Sequence, residues 1–365
     1  MKIIHCADIH LGSSLTANFD SKKAKERNAE IFTSFTQVFS YGKEHGIGAI
    51  VIAGDLFDKN QGIKNLKQHV VKLVEGYPEI SVYYVKGNHD GNSGFERVPE
   101  NLHLFCESEW TSYLLPESKK IKITGTELNK NNKSYIYDTL NLQDEDFNIV
   151  VMHGQESKTD GKNDAEIINL NSLKEKNIDY LALGHIHAYK EASLDMRGVY
   201  CYSGCLEGRG FDEAGGHGFV VLDIDEENHE YTRTFVPFAK RRIYHEEVDI
   251  SAAEDTLSAI KLIEDFLCTL DCQEGSLVEL ILRGAIDLDV TIDENLIQSH
   301  FKDNFYLLKI KSKYAIKIDY KSFEKDQSLK GEFVRSVQKD DTLTEEEKER
   351  VIKYGLDALM GKEPV

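Results

Sequence analysis

The 365-residue chain has few cysteines, and no two of them stand at the spacing of a metal knuckle or redox motif. Its six cysteines are scattered, and the closest pairs, Cys201 with Cys205 and Cys268 with Cys272, lie four positions apart. A C-x-x-C zinc or redox site needs a shorter spacing, so neither that site nor a disulfide framework is expected. We expect reduced thiols, and the chemistry must lie in other residue types.

Positive charge is also scarce. The chain has 44 Lys and Arg against 63 Asp and Glu, a formal net charge of -19 at pH 7. This balance argues against the broad basic surface that non-specific nucleic-acid binding uses. Bound divalent ions would reverse the local field over a small region. Any nucleic-acid contact is therefore expected to be confined, centred on metal or shared with a partner protein.

Long apolar runs are absent as well. The N-terminus has no basic segment followed by an apolar stretch, because its first apolar run is interrupted by His5, Asp8 and His10. No run approaches the roughly 20 apolar residues that a membrane-spanning helix needs. The sequence therefore predicts a cytoplasmic protein without membrane contact.

Polar residues are instead concentrated where short apolar β-runs end. Five stretches show this pattern: KIIHCADIHLG, AIVIAGDLFD, SVYYVKGNHD, NIVVMHG and DYLALGHIH. Asn, Asp and Gly also favour turns, so a turn is the alternative interpretation of any one stretch. Five such strand ends in one chain favour a common site, because ligand sites of open α/β sheets lie at the rim where strands end.

The residue types at these strand ends suit divalent metal ions. They are Asp8, His10, Asp55, Asn88, His153, His185 and His187. Carboxylate, imidazole and amide groups without thiolates favour Mn²⁺, Fe²⁺ or Zn²⁺. Asp8 and His10 are two residues apart on an extended chain, so both point to the same side. Seven ligands exceed what one ion takes while keeping room for water and substrate, so two ions are predicted, with Asp55 contacting each.

The predicted elements divide the chain into a large and a smaller domain. Strand runs that are apolar on both faces alternate with helices, which indicates a sheet covered on both sides. A second set of closely spaced runs indicates a second sheet beside the first. The sequence predicts a four-layer α/β/β/α sandwich over residues 1–240, an α+β domain over 241–322 and a C-terminal helical segment over 323–365.

Five motifs resemble the signatures of the calcineurin-like metallophosphoesterases in type and order: D-x-H at Asp8, G-D-x-x-D at 54–58, G-N-H-D at 87–90, H-G at His153 and G-H-x-H at 184–187. Within that superfamily, HCADIHLGS and YSGCLEGRGFDEAGGHGF resemble the DNA-repair exonuclease branch that includes SbcD and YhaO. The resemblance covers residues 1–235, and residues 241–322 fit the capping domain of the branch in outline. It implies a metal-dependent DNA exonuclease.

The resemblance also implies a role for each motif residue. The first metal would be held by Asp8, His10, Asp55 and His187. The second would be held by Asp55, Asn88, His153 and His185. A hydroxide between the metals would be the nucleophile. His89 would protonate or stabilise the leaving oxygen. Asp90 is placed to orient His89, with a turn carboxylate as the alternative, and Asp58 is expected to orient a neighbour rather than bind metal.

Two further features concern the metal and the substrate. Asp58 stands where purple acid phosphatases carry a tyrosine, so two divalent ions, Mn²⁺ above all, are favoured over a ferric–tyrosinate site. The glycine-rich segment 203–219 contains Arg209. Its guanidinium is a candidate contact for a substrate phosphate, and a surface turn is the alternative.

The resemblance implies partners as well. These are DNA and an SbcC-like or YhaN-like coiled-coil ATPase that docks on the last helices, around 333–359. Ile352, Leu356 and Leu359 form an apolar stripe there, for which packing on its own domain is the alternative. In this branch the first helices commonly form a dimer contact, so the face around Phe32 and Phe39 is a candidate homodimer surface unless those rings are core.

Two other functions stay open. A phosphodiesterase or phosphatase for small molecules, such as cyclic nucleotides, would use the same motifs, because the metal ligands recognise only the phosphate. An inactive scaffold for a coiled-coil ATPase is the third possibility, and the intact ligand set and His89 argue against it.

Overall fold

The computed structural model describes residues 1–58, 63–91, 94–157, 166–270, 272 and 275–359. Its contacts divide the chain into two compact units, Met1–Arg242 and Ile243–Val365. The domain boundaries at residues 240 and 322 stay a prediction. Within the described ranges, no helix is both long enough and apolar enough to cross a membrane.

The first unit contains two long helices and many short strands. In chain order its elements are β1 (Lys2–Cys6), α1 (Ser21–Glu44), β2 (Ile47–Ala53), α2 (Ile63–Glu75), β3 (Ser81–Val85), β4 (Leu102–Leu104), β5 (Thr111–Leu114), β6 (Ile121–Gly125), β7 (Phe147–His153), β8 (Gln155–Ser157), β9 (Ile167–Asn169), β10 (Tyr180–Gly184), β11 (Lys190–Ser193), β12 (Val199–Tyr202), β13 (Gly218–Asp225) and β14 (Glu230–Pro237). Short 3₁₀ helices lie at Ile136–Thr139, Leu170–Leu173 and Phe211–Glu213.

These strands form two six-stranded sheets. The first has the order β14-β13-β1-β2-β3-β4 and the second β11-β12-β10-β7-β6-β5. In the first sheet β1 to β4 run parallel, and in the second β6, β7, β10 and β12 do so. Parallel neighbours end at the same edge of a sheet, so the polar strand ends of each sheet are brought together.

The two sheets share one apolar core. It includes Ile3 and Val51 from the first sheet and Ile149 and Ala182 from the second, all of them almost fully buried. β-branched residues are frequent in this core because they pack well on a pleated surface. The strands are therefore covered by apolar contacts on their inner faces, and polar residues are left to the strand ends.

Helix α1 lies in the layer outside the first sheet. It begins after Asp20, whose carboxylate accepts hydrogen bonds from the backbone N–H groups of Lys22 and Lys23 and so caps the helix. Phe39 is completely buried. Its ring is therefore core, which corrects its assignment to a candidate dimer surface, whereas Phe32 on the same helix is only partly buried.

The outer face of the second sheet has a thinner cover. Ile136 and Leu140 pack there with Leu170 and Leu173, residues at or next to two of the 3₁₀ helices, in one buried cluster with residues of the sheet. The predicted four-layer sandwich is confirmed. In the described part of the chain, its fourth layer consists of 3₁₀ turns and loops rather than α-helices.

The second unit combines small parallel sheets with helices. Its elements are β15 (Ile243–Asp249), α3 (Thr256–Thr269), β16 (Leu277–Arg283), β17 (Ala285–Asp287), α4 (Glu294–His300), β18 (Leu307–Ser312), β19 (Ala315–Lys317), α5 (Tyr320–Glu324), α6 (Leu329–Gln338) and α7 (Glu345–Leu359). The sheet β15-β16-β18 is parallel, and β17 pairs with β19. Helices α3 and α4 share a buried cluster with that sheet.

The last helix, α7, begins with a capping box. Thr344 N donates to Glu347 Oε2 at 2.8 Å, and Glu347 N donates to Thr344 Oγ1 at 3.3 Å. Ile352 and Leu356 are buried against Val334 of α6. Two residues of the apolar stripe therefore pack within their own unit, and partner docking through α7 stays a prediction.

Candidate metal centre

The seven predicted ligands lie at the ends of five strands. Asp8 and His10 follow β1, Asp55 follows β2, Asn88 follows β3, His153 ends β7, and His185 and His187 follow β10. The two sheets meet here through hydrogen bonds, because the His185 backbone N–H donates to both Asp8 carboxylate oxygens at 3.0 Å. The ends of both sheets therefore contribute to one site.

Several of these residues have an unusual backbone conformation. Positive φ angles occur at Asp8 (52°), His10 (51°), Asp55 (50°) and His185 (105°). Such angles cost roughly 1–3 kcal/mol in a residue with a side chain, and they persist only where the surroundings enforce them. Here, His10 N donates to Asp55 O at 2.9 Å. Backbone strain of this kind thus occurs at four of the seven candidate ligands, as is common at functional sites.

Two glycines allow the ligands to approach the backbone. A Cβ on Gly54, whose φ is +89°, would collide with the imidazole of His153. A Cβ on Gly87 would collide with the carboxylate of Asp55. Both glycines come from the G-D-x-x-D and G-N-H-D motifs, so these motifs encode close packing as well as ligand chemistry.

One group of ligand atoms is formed by Asp8, His10 and His187. Each offers one atom, and these atoms lie within 4.8 Å of one another. His10 Nε2 is 3.3 Å from His187 Nε2. His187 Nδ1 donates to Glu213 Oε1 at 2.6 Å, which leaves its Nε2 facing the other ligands.

A second group consists of Asp8, Asp55 and His153, within the same distance limit. His153 Nδ1 donates to the Ala53 carbonyl at 2.9 Å, so Nε2 is directed to the site. That atom lies 3.0 Å from Asn88 Oδ1 and 3.5 Å from Asp55 Oδ2. The two groups therefore share Asp8, and Asn88 adjoins the second.

Asp55 belongs to the second group and also approaches the first, and His185 lies at the margin of both. Asp55 Oδ2 is 3.7 Å from His10 Nε2 as well as close to His153. The ring of His185 lies 5.4 Å, centre to centre, from that of His153. A third close group consists of His10, Asp58 and His89, and His185 is in none of the three groups found among the described residues.

Burial gives these groups strongly shifted pKa values. Burial raises the pKa of Asp8 to about 6. Burial lowers the pKa of His10 to about 3, and the positive charge of Arg209 adds to the effect. Burial opposes ionisation of both Asp55 and His153, but their mutual attraction prevails, so the pKa of Asp55 falls well below its usual range and that of His153 rises to about 9.

The donor set fits divalent metal ions. Asp8, His10 and Asp55 are at most 2% exposed. Burying ionisable groups is unfavourable unless they are paired or coordinate a metal. Imidazole nitrogens and carboxylate oxygens are ligands of Mn²⁺, Fe²⁺ and Zn²⁺. The site therefore has the ligand types, the burial and the shared carboxylates of a centre for two such ions.

His89 lies beside the ligand groups and is held by Asp58. Its Nδ1 donates to Asp58 Oδ1 at 2.6 Å, and its ring lies 4.9 Å from that of His10, centre to centre. The side chain of His89 is 44% exposed. Because Nδ1 is engaged by the carboxylate, Nε2 is available to an incoming molecule.

Asp90 has a different role from the predicted one. Its carboxylate is buried and accepts hydrogen bonds from the backbone N–H groups of Phe57 and Gly87, both at 2.7 Å. Asp90 thus closes the turn that carries His89, which corrects the prediction that it orients the imidazole. Asp58 makes that contact, because the turn directs the Asp90 side chain inward.

Arg209 lies between two carboxylates of the site. Its Nη2 donates to Glu213 Oε1 at 3.0 Å, and its Nη1 is 3.9 Å from Asp58 Oδ2. Burial opposes ionisation of Glu213, but the hydrogen bond from His187 lowers its pKa to about 2. The sequence interpretation missed Glu213, although it lies in the same glycine-rich segment. Contact between Arg209 and a phosphate stays a prediction.

Comparisons with known proteins identify the family. The family model described as Calcineurin-like phosphoesterase matches residues 1–189. The uncharacterized metallophosphoesterase YhaO of Bacillus subtilis is 26% identical over 308 residues, covering 78% of this chain and 72% of the relative. The SbcD component of the nuclease SbcCD of Staphylococcus epidermidis is 26% identical over 278 residues, covering 66% of this chain and 71% of the relative.

A similar solved structure is a dimetal phosphatase from Danio rerio, with 9% sequence identity and a TM-score of 0.40. That likeness covers 61% of this chain and 92% of the phosphatase. The family match spans more than half of the chain and includes all seven candidate ligands and His89. The chain therefore belongs to the calcineurin-like phosphoesterases, a family of metal-dependent hydrolases.

Proposed function

We propose that the protein is a two-metal-dependent phosphodiesterase that hydrolyses DNA as an exonuclease in DNA repair. The observation that carries the phosphodiesterase function is the pair of close ligand groups, Asp8–His10–His187 and Asp8–Asp55–His153, with the exposed imidazole of His89 beside them. Similarity to the SbcD component of the nuclease SbcCD supports DNA as the substrate.

Two divalent ions would occupy the centre, with Mn²⁺ as the proposed metal and Fe²⁺ or Zn²⁺ as alternatives. The first would be held by Asp8, His10, Asp55 and His187. The second would be held by Asp55, Asn88, His153 and His185. When bound, such ions neutralise phosphate charge and lower the pKa of a water toward neutrality. The short distances from Asp55 Oδ2 to His10 and His153 support its bridging position.

His89 is proposed to act on the leaving oxygen. Asp58 accepts the Nδ1 hydrogen of His89 and so orients the ring with Nε2 toward an incoming molecule. In its imidazolium form, His89 would donate the Nε2 proton as the bond between phosphorus and oxygen breaks. General acid catalysis of this kind contributes about 10²–10⁴-fold to the rate.

Arg209 is proposed to contact a non-bridging oxygen of the phosphate. Its side chain is 18% exposed, and among the described residues the contact of Nη1 is a distant one, 3.9 Å from Asp58 Oδ2. A guanidinium presents several donors in one plane, so Arg209 can hold Glu213 and still donate to a phosphate.

Partner proteins would provide most of the DNA-binding surface. The net charge of -19 repels a DNA backbone over long distances. We propose an SbcC-like or YhaN-like coiled-coil ATPase as the partner, docked on the last helices around 333–359. A homodimer through the partly exposed side of α1 that carries Phe32 is proposed as well.

The function is tested by hydrolysis of linear double-stranded and single-stranded DNA and of bis-p-nitrophenyl phosphate. Each is measured with Mn²⁺ and with EDTA, in the wild type, in His89→Gln and in the control His45→Gln, an exposed histidine at the end of α1. We expect Mn²⁺-dependent cleavage of DNA that is lost in His89→Gln alone. Cleavage of only the small diester, even with the ATPase added, would favour a small-molecule phosphodiesterase. Full activity of His89→Gln would refute the proposed mechanism.

A further inference from the structure

A cavity of about 460 Å³ opens beside the candidate metal centre. Asn88 and His153 of the centre form one side of it, and Lys86, Glu107, Glu127 and Asn131 line the remainder, together with neighbouring residues. We call it the side cavity. Its volume is within the range of about 300–1,000 Å³ that small-ligand sites have.

The side cavity and the imidazole of His89 adjoin different proposed ligands of the centre. The cavity adjoins Asn88 and His153, which are the proposed ligands of the second ion. The ring of His89 packs against that of His10, a proposed ligand of the first ion. A phosphodiester has two substituents, so a diester that directs its leaving oxygen to His89 has its other substituent free to enter the cavity.

The far wall of the cavity is preformed. Asn132 is almost fully buried, and its Nδ2 donates to the carbonyls of Glu107 and Glu127, both at 2.7 Å. Asn129 Oδ1 accepts a hydrogen bond from Asn131 N at 2.8 Å. This network fixes the turn against the neighbouring strand ends. Ligand binding would therefore cost little conformational entropy in this part of the cavity.

The charges of the cavity do not favour a second phosphate. Lys86 Nζ lies 3.1 Å from a Glu127 carboxylate oxygen and 3.5 Å from one of Glu107, so its charge is already matched. Lys130 and Glu166 add one charge of each sign to the lining. Carboxylate and amide oxygens here are acceptors for hydroxyl or amino donors, which the sugar and base of a nucleoside provide.

We propose that the side cavity binds the uncharged nucleoside attached to the scissile phosphate, and that this nucleoside is a chain end without a further phosphate. The inference rests on the phosphodiesterase function proposed above, because it concerns the second substituent of the same diester. In the reaction, water loses a proton to solvent as its oxygen bonds to phosphorus, the bond to the leaving oxygen breaks, and that oxygen takes the proton of His89, which solvent then replaces. The product that remains is a nucleoside monophosphate.

The proposal is tested by blocking the side cavity with a large side chain and measuring ligand affinity, which requires no catalytic turnover. Asn131 is exposed at the cavity, and Ser134 is exposed in the same turn outside its lining. Binding of thymidine 5′-monophosphate, thymidine 3′-monophosphate and methyl phosphate to the Mn²⁺-loaded protein is measured by calorimetry. We expect Asn131→Trp to bind one of the two thymidine monophosphates about tenfold more weakly than wild type does. Its affinity for methyl phosphate should be unchanged. The control Ser134→Trp should bind all three ligands as wild type does. Equal nucleotide binding by Asn131→Trp and wild type would overturn the proposal.

The carboxylates of the side cavity are tested with a ligand that carries a second phosphate. Thymidine 3′,5′-bisphosphate is expected to bind about tenfold more weakly than the preferred monophosphate, because its second phosphate meets carboxylates. Glu107→Gln should reduce this difference, since it removes one of those charges and keeps the backbone carbonyl that Asn132 needs. A bisphosphate that binds as tightly as the monophosphate would contradict end recognition. Both results are independent of diester hydrolysis, so failure of the proposed function is recognised separately in the bis-p-nitrophenyl phosphate assay.

Discussion

Two histidines of the site are each hydrogen-bonded through Nδ1 to a carboxylate. Asp58 accepts the Nδ1 hydrogen of His89, and Glu213 accepts that of His187, both at 2.6 Å. A hydrogen bond of this kind fixes the tautomer and the ring orientation and makes the free nitrogen more basic. The proposed proton donation by His89 and the proposed metal binding by His187 therefore depend on residues that need not touch the substrate.

Replacement of Asp58 should slow the chemical step. Asp58→Asn removes the carboxylate that holds the ring of His89 in place, so we expect kcat for bis-p-nitrophenyl phosphate to fall about 10–100-fold. Bound Mn²⁺, measured by elemental analysis, should be unchanged. Asp138→Asn, in an exposed position of a 3₁₀ helix, is the control. An unchanged kcat in Asp58→Asn would show that Asp58 has no part in proton transfer.

Replacement of Glu213 should instead weaken metal binding. Glu213→Gln is expected to lower Mn²⁺ affinity about 10–100-fold, because it removes the charge behind His187. Calorimetric titration of the metal-free protein without substrate measures this directly. Asp212→Asn changes the exposed neighbouring carboxylate and should leave the affinity unaltered. Equal affinities in all three proteins would exclude a positioning role for Glu213.

Helix α1 supports the loop that carries Arg209 and Glu213. Arg27 is completely buried on α1, and its Nη2 donates to Glu207 Oε2 at 3.1 Å and to the Gly208 carbonyl at 2.8 Å. The loop thereby gains a fixed attachment next to the site. A buried ion pair of this kind is costly to break, because the remaining partner keeps an uncompensated charge.

Loss of Arg27 should destabilise the first unit. Arg27→Gln leaves Glu207 without its buried cationic partner, while Glu30 keeps Arg241 and Lys240, so we expect the free energy of unfolding to fall by about 3–5 kcal/mol. Urea denaturation followed by circular dichroism measures the change. Arg97→Gln, an exposed arginine of the same unit, should change it by less than about 1 kcal/mol. Similar values for both variants would mean that the buried network contributes little.

The same network should make stability depend on acid pH. Burial opposes ionisation of Glu30, but hydrogen bonds from Arg241 and Lys240 prevail and lower its pKa from 4.5 to about 2. Its contribution is therefore fully present above the unfolded pKa and is lost as pH falls from about 4.5 to about 2. Between pH 7 and pH 3, wild type should lose about 1–2 kcal/mol more stability than Glu30→Gln. Parallel pH profiles of the two proteins would contradict this.

At the scale of the whole molecule, the acidic charge makes bound cations important. The chain carries 19 more negative than positive charges, and the buried carboxylates of the centre add to the local field. Divalent ions that bind only the folded state stabilise it by mass action, by about 2.7 kcal/mol at a concentration 100 times Kd. Stability and activity should therefore depend on the same ions.

Metal removal should lower the melting temperature of the protein. We expect Mn²⁺ to raise Tm and EDTA to reverse the increase, as followed by scanning calorimetry. For each variant, the rise in Tm caused by Mn²⁺ is measured against its own metal-free form. This rise should be much smaller in His153→Ala than in the control His45→Ala, because of these two residues only His153 belongs to the ligand groups. A Tm that is the same with Mn²⁺ and with EDTA would argue against a resident metal centre.

Local sequence determined much of this protein. The apolar runs that end in Asp, Asn or His placed all seven candidate ligands at strand ends, because alternation of strand and turn is encoded by neighbouring residues. Helix α1 begins at Ser21, next to its N-cap Asp20, and helix α7 begins at the capping box of Thr344 and Glu347. Such features depend on contacts a few residues apart.

Only the tertiary structure decided which side chains meet across the chain. Asp58 rather than Asp90 holds His89, although Asp90 is adjacent in sequence and Asp58 is 31 residues away. The contact between Arg27 and Glu207 spans 180 residues. The 3₁₀ layer and the side cavity arise in the same way from packing. Pairing at long range depends on how the sheets and loops fold over one another, and no local pattern of residues encodes that arrangement.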